Sequence, residues 1–205
     1  MAKVISTLFI SADGVAEIDP GWHFPYFDEN MGRAVGEDYG TADVLLIGRE
    51  TYDSFAGAWP GREAAGGDDA PFAKQLGDVR KVVVSRQPLE FTWRNSELVK
   101  GDLLEAVTAL KSDAGIKGIL IPGSISVVQQ LLAAGLVDEL RLLVHPVAAR
   151  KSLLENSGCG RLGGGALAGE PAGHDDDHGP VDVGLVVGGQ PLVVADGPAV
   201  AGDPR

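Results

Sequence analysis

Along the first 150 residues the chain is written in two alternating patterns. Short continuous apolar runs occur at 3–10 (KVISTLFI), 44–47 (VLLI), 81–84 (KVVV), 118–121 (GILI) and 138–144 (DELRLLV). Most are bounded by Gly, Pro, Ser or Asp, and a run of four to eight residues punctuated in this way predicts a strand buried on both faces. Between them lie stretches of helical character. Residues 28–39 place Met31, Val35 and Tyr39 four apart, which predicts a helix in spite of Gly32 and Gly36. A short helix is expected over 49–55, with the Gly-, Ala-, Pro- and Asp-rich stretch 57–69 as a loop. Asp102 with Glu105 three residues on forms a capping-box pattern for a helix to about residue 112. Ser124 is placed to cap a second helix, which runs to 134 and stops at Gly135.

Strands alternating with helices at this pitch predict an α/β fold with parallel crossovers and helices on both faces of the sheet. In such folds ligands collect at the carboxyl ends of the strands, so the residues at those ends are the ones to read for chemistry. Three ends share one grammar: Gly48-Arg49-Glu50-Thr51, Ser85-Arg86 and Gly123-Ser124. A helix start offers free N–H groups and partial positive charge to a phosphate. Glycine permits close backbone approach, and a guanidinium can grip phosphate with two parallel hydrogen bonds. Taken singly, each is an ordinary feature: glycine after a strand is first a turn residue, and a lone arginine is first a solvated one.

Composition narrows the field. Of 205 residues 44% are hydrophobic, enough for a core, and the net charge is −12. Nucleic-acid binding calls for a basic stripe that is not visible here, so no nucleic-acid partner is expected. No apolar run reaches the roughly 18 residues of a membrane span, and residues 1–10 lack the layout of a secretory signal. The single Cys159 permits no internal disulfide and no cysteine-built zinc site. The expectation is a cytoplasmic protein with no membrane partner.

Four segments, in order, carry a family resemblance: the opening strand with 11–14 (SADG), 45–60 (LLIGRETYDSFAGAWP), 81–86 (KVVVSR) and 118–147 (GILIPGSISVVQQLLAAGLVDELRLLVHPV). Over about residues 1–147 the chain resembles the dihydrofolate-reductase-like superfamily. Within it, the resemblance is to the reductase domain at the C-terminus of bacterial bifunctional riboflavin-biosynthesis deaminase-reductases and to the stand-alone relatives of that domain. The resemblance implies a mostly parallel central sheet, NADPH as cofactor, reduction of a small molecule, and a homodimer. It puts Gly48, Arg49 and Thr51 at a helix-start phosphate site and Ser85 and Arg86 where the 2′-phosphate is met. Gly123 and Ser124 fall on a glycine pair that touches the pyrophosphate. The second glycine of that pair is a serine here, whose hydroxyl can donate to phosphate and whose Cβ crowds the approach.

On the substrate side, the resemblance puts Asp13 and Gly14 in a first loop covering the nicotinamide. The aromatic cluster 22–27 (WHFPYF), with Trp22 and Phe27, reads either as a platform for a flat heterocycle or as core or dimer packing. Asp28 and Glu29 read either as proton donors to a reduced imine or carbonyl, or as capping carboxylates at a helix start. Tyr52 is expected at the cleft as a donor, and His145 as structural. Because the cofactor carries the hydride, the protein needs little acid–base machinery of its own.

Composition changes near residue 157, which divides the chain into a reductase domain over 1–156 and an atypical Gly-, Ala-, Pro- and Asp-rich tail over 157–205. Weak strands are expected there at 181–187 and 192–194. The run His174-Asp175-Asp176-Asp177-His178 is read as an acidic loop rather than a metal site. If it is encoded CAC GAC GAC GAC CAC GGG, the frame one base later reads a threonine run and a codon beginning GG, as relatives carry before their last strand. An out-of-frame tail would leave a sheet edge uncovered. Two alternatives to a reductase remain open from sequence: a degenerate nucleotide-binding module without catalysis, and a dimeric scaffold.

Overall fold

The computed structural model describes residues 1–16 and 18–149, together with the backbone of 182–187 and 190–192. The apolar runs form strands as expected: β1 (Lys3–Ser11), β2 (Val44–Gly48), β3 (Arg80–Val84), β5 (Gly118–Ile121) and β6 (Glu139–His145). A short β4 (Ser96–Leu98) follows β3, and β7 (Asp182–Val187) and β8 (Gln190–Leu192) follow β6. The helices are α1 (Pro20–His23), continued by a 3-10 turn (Phe24–Tyr26), then α2 (Glu29–Gly40), α3 (Arg49–Ala65), α4 (Ala70–Asp78), α5 (Leu103–Ser112) and α6 (Ile125–Ala133).

The strands form one sheet in the order β4-β3-β2-β5-β1-β6-β7-β8, parallel throughout except for the antiparallel β7–β8 pair. This is the expected α/β fold with a mostly parallel central sheet. Both faces are covered, and the period-two geometry of a strand divides the apolar runs between them. Val44 and Leu46 pack with Val107, Val127 and Leu131 of α5 and α6. Leu45 and Ile47 pack with Tyr52 and Leu76 of α3 and α4, and with Trp93. Gly118 is required where β5 begins, because a Cβ there would collide with the Thr41 carbonyl.

One expectation is corrected and one element is added. The stretch 57–65 is not loop: α3 runs 17 residues, through Gly57, Pro60 and Gly61. Pro60 removes one N–H and carries a penalty of ~3 kcal/mol in a helix interior. Packing prevails, because Phe55, Ala56 and Trp59 lie against the core and Arg94 grips Glu63 with two hydrogen bonds of 2.7 and 2.9 Å. The addition is helix α4, which buries Ala73, Leu76 and Gly77 and occupies a stretch between the expected loop and strand for which no element is expected from sequence.

Strands are found near both positions expected in the tail. The β7 backbone pairs with β6 from Glu139 to Val144, so the β6 edge is not bare. The expected domain boundary at 156/157, Cys159 and the 174–178 run lie outside the described residues.

Candidate functional site

Because β3, β2, β5, β1 and β6 are neighbours and parallel, their carboxyl ends line one edge of the sheet. Residues expected to bind cofactor leave the first three of these strands. Gly48 ends β2 and stands at the N-cap of α3, and in register it faces Val84, the last residue of β3. Gly123 and Ser124 follow β5 and open α6.

Ser124 does not cap α6 with its side chain, contrary to expectation. Its hydroxyl instead accepts the Gly48 N–H at 2.6 Å and lies 2.7 Å from Thr51 Oγ1. The starts of α3 and α6 are thereby tied together. To hold this position Ser124 takes a left-handed backbone with φ 61° and ψ 64°, a conformation that side-chain-bearing residues adopt at a cost. A Cβ on Gly48 would come within 3.1 Å of that hydroxyl, so Ser124 would have to shift by a few tenths of an ångström to admit one. Gly123 has φ +116°, and a Cβ built there would meet nothing within 4 Å. The space in front of it is open.

Ser85 closes a turn on itself, its hydroxyl donating to the Gln87 carbonyl at 2.8 Å and accepting the Gln87 N–H at 3.1 Å. Arg86, inside that turn, is exposed and makes no hydrogen bond or ion pair among the described residues. Arg49 makes a 3.4 Å pair with Asp53 one turn along α3, both side chains about half exposed.

The other half of the edge is aromatic. At the carboxyl ends of β1 and β6, Phe9, Trp22, Phe24 and Phe27 surround two histidines in edge-to-face contacts, with centroids 4.5–6.3 Å apart. His23 Nδ1 lies 3.1 Å from His145 Nε2. Both rings are buried. Burial, and secondarily the neighbouring His145, push the His23 imidazole below its ordinary value. Sequence reasoning gave His23 no role. The available signal was a histidine inside an aromatic run with a second histidine at the end of a strand.

Two of the three expected acids, Asp28 and Asp13, are occupied with structure. Asp28 is the N-cap of α2 and accepts the Met31 N–H at 2.8 Å. Glu29 lies exposed in the first turn of that helix. Asp13 accepts from Ser11 Oγ at 2.6 Å and from the Ala149 N–H at 2.9 Å, closing the loop after β1 onto the segment after β6. Tyr52 is corrected outright. It is only 3% exposed, and its hydroxyl accepts the N–H groups of Thr92 and Trp93 at 3.1 and 3.2 Å. It pins the 92–93 loop to α3 and does not face the cleft. Tyr52→Phe should therefore lower stability by about 1–3 kcal/mol, the cost of two orphaned backbone donors. Urea unfolding measures this, and ligand affinity should be unchanged. The described residues also include an open groove of about 280 Å³ beside β4 and α5, lined by Arg80, Glu97 and Lys100 among others, but no candidate residue borders it.

Three comparisons bear on this geometry. Residues 2–149 match the family model of the RibD C-terminal domain. Among curated proteins, the chain is 29% identical over 154 residues to the uncharacterized protein YyaP of Bacillus subtilis, covering 71% of this chain and 75% of that one. Among solved structures, a pyrimidine reductase-like protein from Corynebacterium diphtheriae superposes with TM-score 0.47 at 19% identity, covering 72% of this chain and 75% of the other. The riboflavin biosynthesis reductase Rib7 of Saccharomyces cerevisiae superposes with TM-score 0.47 at 15% identity, covering 72% and 74%.

Proposed function

The chain belongs to the RibD C-terminal domain family of dihydrofolate-reductase-like reductases, and from that premise we propose that it is an NADPH-dependent reductase of a small flat heterocycle or a carbonyl or imine compound. The observation that carries this reading is the joint start of α3 and α6 at Ser124, beside open space at Gly123. Two helix starts offer N–H groups and partial positive charge to one pyrophosphate. In this reading Gly48, Arg49, Thr51, Gly123 and Ser124 hold the pyrophosphate, and Ser85 and Arg86 meet the 2′-phosphate. Arg86 has no competing carboxylate among the described residues, which leaves its guanidinium free for that task. The bound cofactor supplies a hydride. The chain orients it toward the aromatic half of the same edge, where Trp22 and Phe27 stand as the platform for a flat acceptor. The same reading takes the protein as a homodimer, which sedimentation equilibrium tests.

NADPH should raise the melting temperature in a concentration-dependent way, because a ligand that binds only the native state stabilises it. Arg86→Ala should weaken NADPH about tenfold or more relative to NADH, since a bidentate charge-assisted contact is lost only for the phosphorylated cofactor. Equal losses for the two cofactors remove Arg86 from the 2′-phosphate site. A second reading draws on the expected proton donors, since Asp28 caps α2 and Asp13 is held by Ser11 and by the Ala149 N–H. That favours a nucleotide-binding module without catalysis. NADPH binding with no turnover over a panel of pterins, pyrimidines and quinones would select it.

A further inference from the structure

The two histidines fix one another's tautomers. His145 Nδ1 lies 3.2 Å from the Leu143 carbonyl oxygen, which can only accept, so this nitrogen carries the hydrogen and His145 Nε2 is left with its lone pair. His23 Nδ1, 3.1 Å from that lone pair, must then donate to it. In neutral His23 the remaining nitrogen, Nε2, is a bare acceptor. It makes no hydrogen bond to any described residue. His23 keeps a small accessible surface, 7%, and Nε2 is not among the described side-chain atoms fully buried without a partner, which are Ser6 Oγ and Trp93 Nε1.

The surroundings are apolar and partly open. Six large hydrophobic side chains are exposed among the described residues, and four of them, Ile18, Phe24, Tyr26 and Phe27, fall within residues 18–27. Scattered exposed apolar residues need no explanation, but a concentration of rings beside an unused acceptor does. The rings in contact with His23 are Phe9 of β1, Trp22 of α1, Phe24 of the turn that follows, Phe27 just after that turn, and His145 of β6. Among the described residues, His145 is the only titratable group acting on His23, and no carboxylate hydrogen-bonds to either imidazole.

We propose that His23 Nε2 is a substrate-recognition atom: together with the rings of Trp22, Phe24 and Phe27 it forms a subsite for a flat heteroaromatic ligand that presents a ring N–H at its edge. His145 acts through His23 as a positioning residue, holding the acceptor tautomer. The inference rests on the reductase reading only in taking this ligand to be the hydride acceptor. Stacking supplies affinity for any flat ring, and the lone pair supplies the choice among them. A ligand lacking the N–H leaves a desolvated acceptor unpaired, which is where polar recognition gains most of its selectivity. The lowered basicity of His23 keeps the acceptor form dominant at neutral pH.

The test uses the full chain with pterin, lumazine and uracil, each beside a counterpart methylated at the ring nitrogens, by calorimetry at pH 7.5. At least one N–H compound should bind about tenfold or more tighter than its methylated counterpart. His23→Phe should erase that preference while leaving stacking intact, and His23→Gln, which keeps an acceptor, should retain part of it. Acidification below pH 6.5 should also erode the preference as Nε2 gains a proton. Equal binding of both members in every pair, no binding by any of them, or a preference that survives His23→Phe overturns the proposal. NADPH thermal shifts on the same samples separate the two readings. A missing NADPH shift with the preference intact removes only the cofactor assignment, and a normal shift with no preference removes only this subsite.

Discussion

Gly123→Ala is expected to weaken NADPH binding about a hundredfold. The reason is local. At φ +116° the backbone lies where only glycine is at ease, and the added Cβ would project into open space rather than into protein. Strain of about 1–3 kcal/mol should therefore appear in the apo protein without any steric clash. The binding loss is separate, because in the proposed site the methyl group would stand where the pyrophosphate approaches the backbone. Gly66→Ala is the matched control. Gly66 ends α3 in a left-handed conformation with φ +71°, and a Cβ there also meets nothing within 4 Å. That variant should lose stability in a similar way and keep its NADPH affinity. Wild-type affinity in Gly123→Ala, measured by fluorescence titration, would mean that no pyrophosphate lies against this turn.

How much of this was legible in the sequence follows from where each signal resides. The strands were legible because a parallel strand buried on both faces is a continuous apolar run, and VLLI, KVVV and GILI are such runs. The residues proposed to hold the cofactor stand out in the sequence because glycine and cationic residues at strand ends are local features. The true length of α3 was not. Gly57, Pro60 and Gly61 argue locally for a break, and what overrides them is tertiary: Trp59 against Phe72, and Glu63 held by Arg94 from 31 residues away. Tyr52 was misread for the same reason. Its sequence neighbours Arg49 and Thr51 stand at the strand end proposed for the cofactor, but its side chain turns into the core, where its hydroxyl meets backbone 40 residues on. The His23–His145 pair joins residues 122 apart, and no pattern at helix or strand spacing could have announced it. The α4 helix was visible in principle, since Phe72, Ala73 and Leu76 repeat at helical spacing after an early proline.

Lys81→Met should destabilise the protein by about 2–4 kcal/mol at pH 7, although it replaces a charge with an apolar side chain of similar length. Lys81 is fully buried on β3, and its Nζ donates to the carbonyls of Leu76, Gly77 and Val79 at 2.7, 3.0 and 2.8 Å. It closes the end of α4, where helix carbonyls lack partners of their own, and its ammonium lies 4.2 Å from the centre of the Trp93 ring. Methionine leaves those carbonyls in an apolar setting, each at about 1–3 kcal/mol, partly offset because a buried charge is no longer held. The offset makes the effect depend on pH in a defined direction. Burial pulls the Lys81 amine from 10.5 down to about 8. Between those values the native protein is neutral at this site while the unfolded chain remains protonated. The unfolded state then binds more protons, and native stability rises with pH across the window. Below pH 8 both states are charged and the cost of burying the ammonium is felt in full. The gap between wild type and Lys81→Met should accordingly widen from pH 8 to pH 10, because a neutral amine still donates to carbonyls while methionine never does. Urea unfolding followed by tryptophan fluorescence measures both slopes, and a gap constant across that range would mean that Lys81 keeps its proton in the native state.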